Sequence, residues 1–165
     1  MQVTVLHKEG NSPESMVLHA TTSKSSFEIK PSVISPVEYF LAGAISCSVT
    51  DMVMLPKKQG YQISDIQIQG DVIRNDTPPR KFNDVHLKYI FNSNGDNLLA
   101  KRWVLSTLET YCSTLNTIRG VSKISFSIVH NGEIISDKDE ILSGENVANS
   151  FSDENAPDIG GACES

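Results

Sequence analysis

The chain has 165 residues, of which 39% are hydrophobic, 21% charged and 7% aromatic; this mixture suits one globular domain with a modest core and excludes collagen, coiled coil and wholesale disorder. The formal charge of −6 is a property of one end, because residues 1–136 hold 13 Lys+Arg against 12 Asp+Glu while residues 137–165 hold 1 against 8. A nearly neutral body without a basic stripe excludes nucleic acid as a default partner, since phosphate contacts need clustered cations.

The first residues, Met1 to Lys8, lack the basic region and apolar block of a secretion signal, and no run of 18 apolar residues occurs. The expectation is a cytoplasmic protein that does not enter a membrane. Short apolar pieces at Val3–Leu6, Met16–His19 and Phe27–Ile29, separated by Gly10 to Pro13 and Thr21 to Ser25, predict three strands in a meander.

Ser35-Pro36-Val37-Glu38 is a helix start: a capping serine, a proline at the first helical position, and a glutamate placed to bond back to the cap. The helix is expected from about 36 to 55. Its only charges are Glu38 and Asp51, which predicts burial on most sides and makes it the spine of the core. Pro56 and Gly60 end or kink it. Ile66, Ile68 and Val72 then recur at period two in a strand reaching Arg74, and Asn75 to Arg80, with two prolines, is a loop.

Val85, Leu87, Tyr89 and Phe91 alternate with His86, Lys88 and Ile90 in a second strand that pairs with the first. Asn94-Gly95 turns the chain and Asp96 can cap a second helix. Leu98, Leu105, Leu108, Cys112 and Leu115 mark that helix, which ends near Arg119-Gly120 with Cys112 on its apolar face. Ile124, Phe126 and Ile128 form another strand, and Asn131-Gly132 is a hairpin turn into Ile134-Ile135. From Ser136 the sequence is acidic and aperiodic, so residues 1–136 read as the folded domain and residues 137–165 as a flexible tail. The element order predicts an α+β domain, with two long helices packed on antiparallel sheets.

Three cysteines, Cys47, Cys112 and Cys163, are too few for a disulfide scaffold and lack the close spacing of a zinc site. Cys47 lies in the first helix among Ala42, Gly43, Ala44 and Ser46, and Cys112 lies on the second. Two readings stay open for this pair. Both are small buried hydrophobes, or the two thiols face each other, where a disulfide between them requires Cα atoms about 4.4 to 6.8 Å apart. Cys163, in the tail, reads as an adventitious exposed thiol.

The segment Ser35-Pro36-Val37-Glu38-Tyr39-Phe40-Leu41-Ala42-Gly43-Ala44-Ile45-Ser46-Cys47, with Asp51-Met52-Val53 after it, resembles the first cysteine helix of the OsmC/Ohr-like family. Leu108-Glu109-Thr110-Tyr111-Cys112-Ser113 resembles its second, and Phe82 to Leu87 the strand leading into its second half. The resemblance covers roughly residues 1–130 and leaves out the tail. It implies the OsmC-like fold in an intertwined homodimer, with active sites at the subunit interface. It further implies reduction of organic hydroperoxides by a peroxidatic Cys47 and a resolving Cys112. Dithiol or lipoyl-type reductants would regenerate the pair, with no metal and no organic cofactor.

Cys47 lies 11 residues after Pro36, about 16 Å along the helix, so the positive helix end stabilises its thiolate little. The arginine and glutamate that support the thiol in peroxidases of the family are changed here: no arginine precedes Arg74, and Val37 follows the proline. Supporting candidates are Glu38, which also serves as a capping residue, Asp51, Glu109, and Arg74 and Arg80 beside the proline loop. His7, His19, His86 and His130 are scattered and show no metal spacing. The alternative function is a catalytically weak or inactive dimer that binds a small hydrophobic molecule in the apolar cleft.

Overall fold

A computed structural model describes residues 1–141. Their contacts divide the chain into two compact units, Met1–Gly43 and a larger one beginning at Ala44. The tail beyond residue 141, with Cys163, lies outside the described residues.

In the first unit, β1 (Thr4–Glu9), β2 (Val17–Thr21) and β3 (Ser26–Ile29) form an antiparallel sheet in the order β1-β2-β3, the meander expected from the short apolar pieces. The central strand sets the register: His19 stands opposite Leu6 on one side and Glu28 on the other. Helix α1 (Pro36–Lys58) begins where the capping signals place it. Glu38 Oε2 accepts from the Ser35 backbone N–H at 2.8 Å and from its hydroxyl at 2.7 Å, while Glu38 N–H donates to Ser35 Oγ at 3.2 Å. This is a reciprocal capping box. Helix α1 stops in a Schellman-type closure, with Tyr61 N–H on the Pro56 carbonyl and Gly60 at φ 83°.

Helix α1 is buried along one stripe, through Ala44, Ser48, Asp51, Met52 and Leu55, and not on most sides as its composition suggests. Ser46, Thr50, Val53 and Lys57, at helical spacing, are exposed. Small and apolar residues on a helix face permit burial without requiring it within one chain. By length and composition α1 is long and apolar enough to cross a membrane, a test that a core helix also passes; here Ala44, Met52 and Leu55 belong to the core.

The larger unit is a four-stranded sheet, β4 (Ile63–Arg74), β5 (Phe82–Ser93), β6 (Lys123–His130) and β7 (Glu133–Glu140), in that spatial order. Val85, Leu87, Tyr89 and Phe91 of β5 all point to the core, each at most 1% exposed, as their alternation requires. The pairs β4·β5 and β6·β7 are antiparallel, but β5 and β6 run parallel. The sheet is therefore mixed and not wholly antiparallel. Residues 94–122 carry the chain back across the layer, long enough for the crossover that a parallel pair requires.

That crossover is not the single helix expected. Helix α2 (Asn97–Ser106), capped by Asp96 Oδ1 accepting from Leu99 N–H at 2.8 Å, runs into a π-helical turn at Thr107–Tyr111. A short helix α3 (Ser113–Ile118) follows. Leu98, placed on the core face by the heptad-like spacing, is 63% exposed; Trp103 and Val104 are buried in its stead. The π turn adds a residue to the ring of the hydrogen bond from Cys112 N–H to Thr107 O, 2.9 Å, so one helical phase cannot run from Leu98 to Leu115. Asn116 Nδ2 donates to the carbonyls of Cys112 (2.9 Å) and Leu108 (3.3 Å), bracing the joint from both sides, while the Asn116 backbone N–H also donates to the Cys112 carbonyl at 3.0 Å.

The hairpin turn at Asn131-Gly132 forms with both residues at positive φ, 51° and 82°, the backbone that favours Asn-Gly there. Strand β7 then continues past Ser136 to Glu140, and Ile141, 6% exposed, bonds through its N–H to Ile124 O at 3.0 Å. The ordered strand thus includes the start of the acidic stretch, held by ion pairs Lys101–Asp139 (2.8 Å) and Lys123–Glu140 (2.6 Å).

Candidate active site

Cys47 and Asp51 are four residues apart on α1 and so share a face. Cys112 comes from the joint between the π turn and α3, at φ −71° and ψ 95°. The three meet: Cys47 Sγ, a carboxylate oxygen of Asp51 and Cys112 Sγ all lie within 4.8 Å of one another. Cys47 is half-buried, Asp51 is 1% exposed and Cys112 is fully buried. Both cysteines are thiols in this structure.

Hydroxyls and a carbonyl surround the sulfurs. The Cys112 thiol donates toward the Ala44 carbonyl at 3.8 Å and lies 3.3 Å from Thr114 Oγ1, which itself donates to that carbonyl at 3.3 Å. Cys47 Sγ is 4.0 Å from Ser113 Oγ. Ser48 Oγ and Tyr89 Oη share a buried hydrogen bond of 2.7 Å. Burial pushes the Cys112 thiol up to about 12, with Cys47 adding to the rise, against hydrogen bonds from Thr114 and the Leu115 backbone. Burial is also the main cause that pushes Tyr89 up, and Cys112 and Asp51 act in the same direction. Among the described residues, none of these influences on Cys112 or Tyr89 comes from a cationic side chain.

The other candidates stand elsewhere or serve local structure. The hydrogen bonds of Glu38 run to Ser35, which lower its pKa. Arg74 Nε donates to the Arg80 carbonyl at 2.9 Å, tying both residues to the β4–β5 loop. Glu109 sits half-buried in the π turn, where burial raises its pKa and Arg119 opposes the rise. Arg119 Nη1 also donates to the Glu109 backbone carbonyl at 3.3 Å. His130 is held by Ser93 and Asn97, each at 2.7 Å, and His86 by Ser125 and Ser127 at 2.9 and 3.2 Å.

Sequence reasoning missed Ser48, Tyr89 and Thr114. Tyr89 was legible as the hydroxyl-bearing member of the set Val85, Leu87, Tyr89 and Phe91 on the buried face of β5, where a polar tip needs a partner. Ser48 and Thr114 follow their cysteines by one and two positions, but nothing in the spacing says that they turn inward.

An OsmC-like protein family model matches residues 29–127. Among solved structures, the chain is similar to an OsmC-like protein from Mycoplasma pneumoniae, with 15% identity, TM-score 0.67, and coverage of 78% of this chain and 95% of that one. It is also similar to a hypothetical protein from Aquifex aeolicus VF5, with 22% identity, TM-score 0.65, and coverage of 79% and 98%. A third, an organic hydroperoxide resistance protein OsmC from Legionella pneumophila, has 18% identity, TM-score 0.54, and coverage of 78% and 96%. These likenesses are to the fold. No curated protein sequence matches the chain.

Proposed function

The chain belongs to the OsmC-like protein family, and from that premise we propose that it is a thiol-dependent peroxidase that reduces organic hydroperoxides in the reducing cytoplasm. One observation carries the reading: two sulfurs from separate helical segments lie within 4.8 Å of each other. The half-buried Cys47 is the more accessible sulfur and the fully buried Cys112 the more protected one, which suits peroxidatic and resolving roles respectively. The organic hydroperoxide resistance protein of similar fold supports the substrate class.

In the proposed reaction the Cys47 thiolate attacks the terminal peroxide oxygen. The O–O bond breaks, the alkoxide takes a proton and leaves as alcohol, and Cys47 becomes a sulfenic acid. The Cys112 sulfur then attacks Cys47 Sγ, the hydroxyl departs as water, and a disulfide forms. Since an S–S bond is about 2.05 Å long, the sulfurs close a gap of at most about 2.8 Å. An external dithiol returns two electrons, leaving as its own disulfide.

The exposed α1 stripe Ser46, Thr50 and Val53, together with exposed Phe27, Val33, Ile34 and Phe40 in the first unit, supports the proposal of a homodimer. Analytical ultracentrifugation checks that assembly.

Purified protein should consume cumene hydroperoxide when dihydrolipoamide is supplied, Cys47→Ser should abolish turnover, and Cys112→Ser should leave one sulfenic acid per chain that recycles slowly. Turnover unchanged in Cys47→Ser sinks the mechanism. A second reading, a weak or inactive dimer binding a small hydrophobic molecule, is favoured by the buried Asp51 beside the thiols, because a neighbouring carboxylate opposes thiolate formation. It predicts ligand binding that survives replacement of both cysteines by serine.

A further inference from the structure

Cys47, Asp51 and Cys112 do more than oppose two sulfurs. They bring two thiols and a carboxylate from two segments to one point, with every pair of donor atoms within 4.8 Å. In a tetrahedral zinc site, bonds of about 2.3 Å to sulfur and about 2.0 to 2.2 Å to oxygen separate S···S and S···O neighbours by about 3.5 to 3.8 Å. The donors here need to draw together by at most about 1 to 1.3 Å to reach that separation. We propose that these three residues form a binding site for a thiophilic divalent cation of the zinc type.

Three features of the cluster argue for this class of ion. Two sulfur donors select a borderline or soft metal over magnesium or calcium, which prefer all-oxygen shells. Asp51, 1% exposed, places a carboxylate beside two groups that also become anions, and a dication compensates more of that charge than any monovalent partner. The Ser113 hydroxyl, 4.0 Å from Cys47 Sγ, is within reach of that sulfur, and the Thr114 hydroxyl, 3.3 Å from Cys112 Sγ, would turn its one proton from the Ala44 carbonyl to the coordinated thiolate, as outer-shell groups do in metal sites. Binding displaces both thiol protons to solvent. Three protein donors leave a fourth position for water.

Metal and disulfide then compete for the same sulfurs. A bound cation holds both thiolates, and oxidation to the Cys47–Cys112 disulfide releases the ion. The consequence for peroxide turnover, reversible inhibition by zinc, rests on the peroxidase reading; the binding itself does not.

The test uses the full chain with Cys163→Ser, reduced and freed of metal, so that the remaining thiols are those of the site. Titration with Co2+ should give a thiolate-to-cobalt charge-transfer absorption that saturates at one ion per chain and is bleached by Zn2+. In competition with a chromophoric chelator, Cys47→Ser and Cys112→Ser should each weaken Zn2+ binding by about a hundredfold or more, and Asp51→Asn by about tenfold. Prior oxidation that links the two cysteines should abolish the absorption. Because Asp51 is buried, its variant is read only beside Cys47→Ser, at a half-exposed position, with thermal melts confirming that each is folded. Absence of the band at equimolar Co2+, or Zn2+ affinity unchanged in folded Cys47→Ser, overturns the site. These absorbance readouts stand whether or not the protein turns over peroxide.

Discussion

The Ser48 hydroxyl and the Tyr89 phenol lie 2.7 Å apart, joining α1 to β5 within electrostatic reach of Cys112 and Asp51. Removing one partner strands the other in a dry interior. Tyr89→Phe should therefore destabilise the protein by about 1 to 3 kcal/mol, and Ser48→Ala by a similar amount. The double variant should cost less than the sum, because no hydroxyl is left unpaired. Urea denaturation of the four proteins measures the coupling; strict additivity means that the bond contributes nothing.

The alkaline limb of stability should carry the mark of Cys112. Its thiol is pushed up to about 12 in the folded chain from an ordinary value near 9.0, so as pH rises the unfolded chain loses this proton first. The contribution is whole below about pH 9 and declines through about pH 12, with a slope of at most about 1.4 kcal/mol per pH unit for this one group. Tyr89, also raised by burial, adds a fall in the same direction above its ordinary value. Cys112→Ser should flatten the part that begins near pH 9. Equal alkaline slopes for the two proteins contradict the assignment.

A methyl group at position 95 has no room. A Cβ added to Gly95 meets Trp103 Cη2 at 2.6 Å, and the indole is fixed by burial and by Nε1–H donation to Gln59 Oε1 at 2.6 Å. Gly95→Ala should cost about 1 to 3 kcal/mol through overpacking. Trp103 is the single tryptophan, so its fluorescence reports the shift along with the melt. An unchanged emission and melting temperature refute the clash.

The end of the folded unit can be located by truncation. A chain ending after Ser136 loses the last four residues of β7 along with buried Ile141 and the Lys101–Asp139 and Lys123–Glu140 pairs. It should be less stable than a chain ending after Ile141 by about 2 to 5 kcal/mol, most of it from the apolar side chain and strand bonds, since exposed ion pairs contribute little. Equal thermal stability of the two truncations would place the boundary at Ser136 after all.

How far the sequence could be read differs from place to place. Ser35, Pro36 and Glu38 announce the start of α1 because the cap is a local bargain among four residues, and the alternation of Val85 to Phe91 announces β5 because its period is local too. The break at Cys112 was hidden: the leucine spacing fits an unbroken helix, and neither the Asn116 bonds that brace the joint nor the inward Trp103 leaves a periodic signal. The parallel pairing of β5 with β6 is a matter of where a crossover returns, and the polar end of β7 is held by partners on α2 and β6. In the site, the shared face of Cys47 and Asp51 was legible at i, i+4, whereas their meeting with Cys112 joins positions more than sixty residues apart.

The π turn ahead of Cys112 has a mechanical meaning. A sulfur mounted in the middle of a continuous helix can travel only as far as its χ1 rotation carries it, because moving the backbone would cost several hydrogen bonds at once. Cys112 instead occupies a seam between two helical pieces, with an extended ψ of 95°, so a twist at that residue leaves the backbone bonds of each piece intact and strains the Asn116 Nδ2 bond to the Leu108 carbonyl that spans the seam. Straightening that seam would lock the sulfur in place without touching either cysteine.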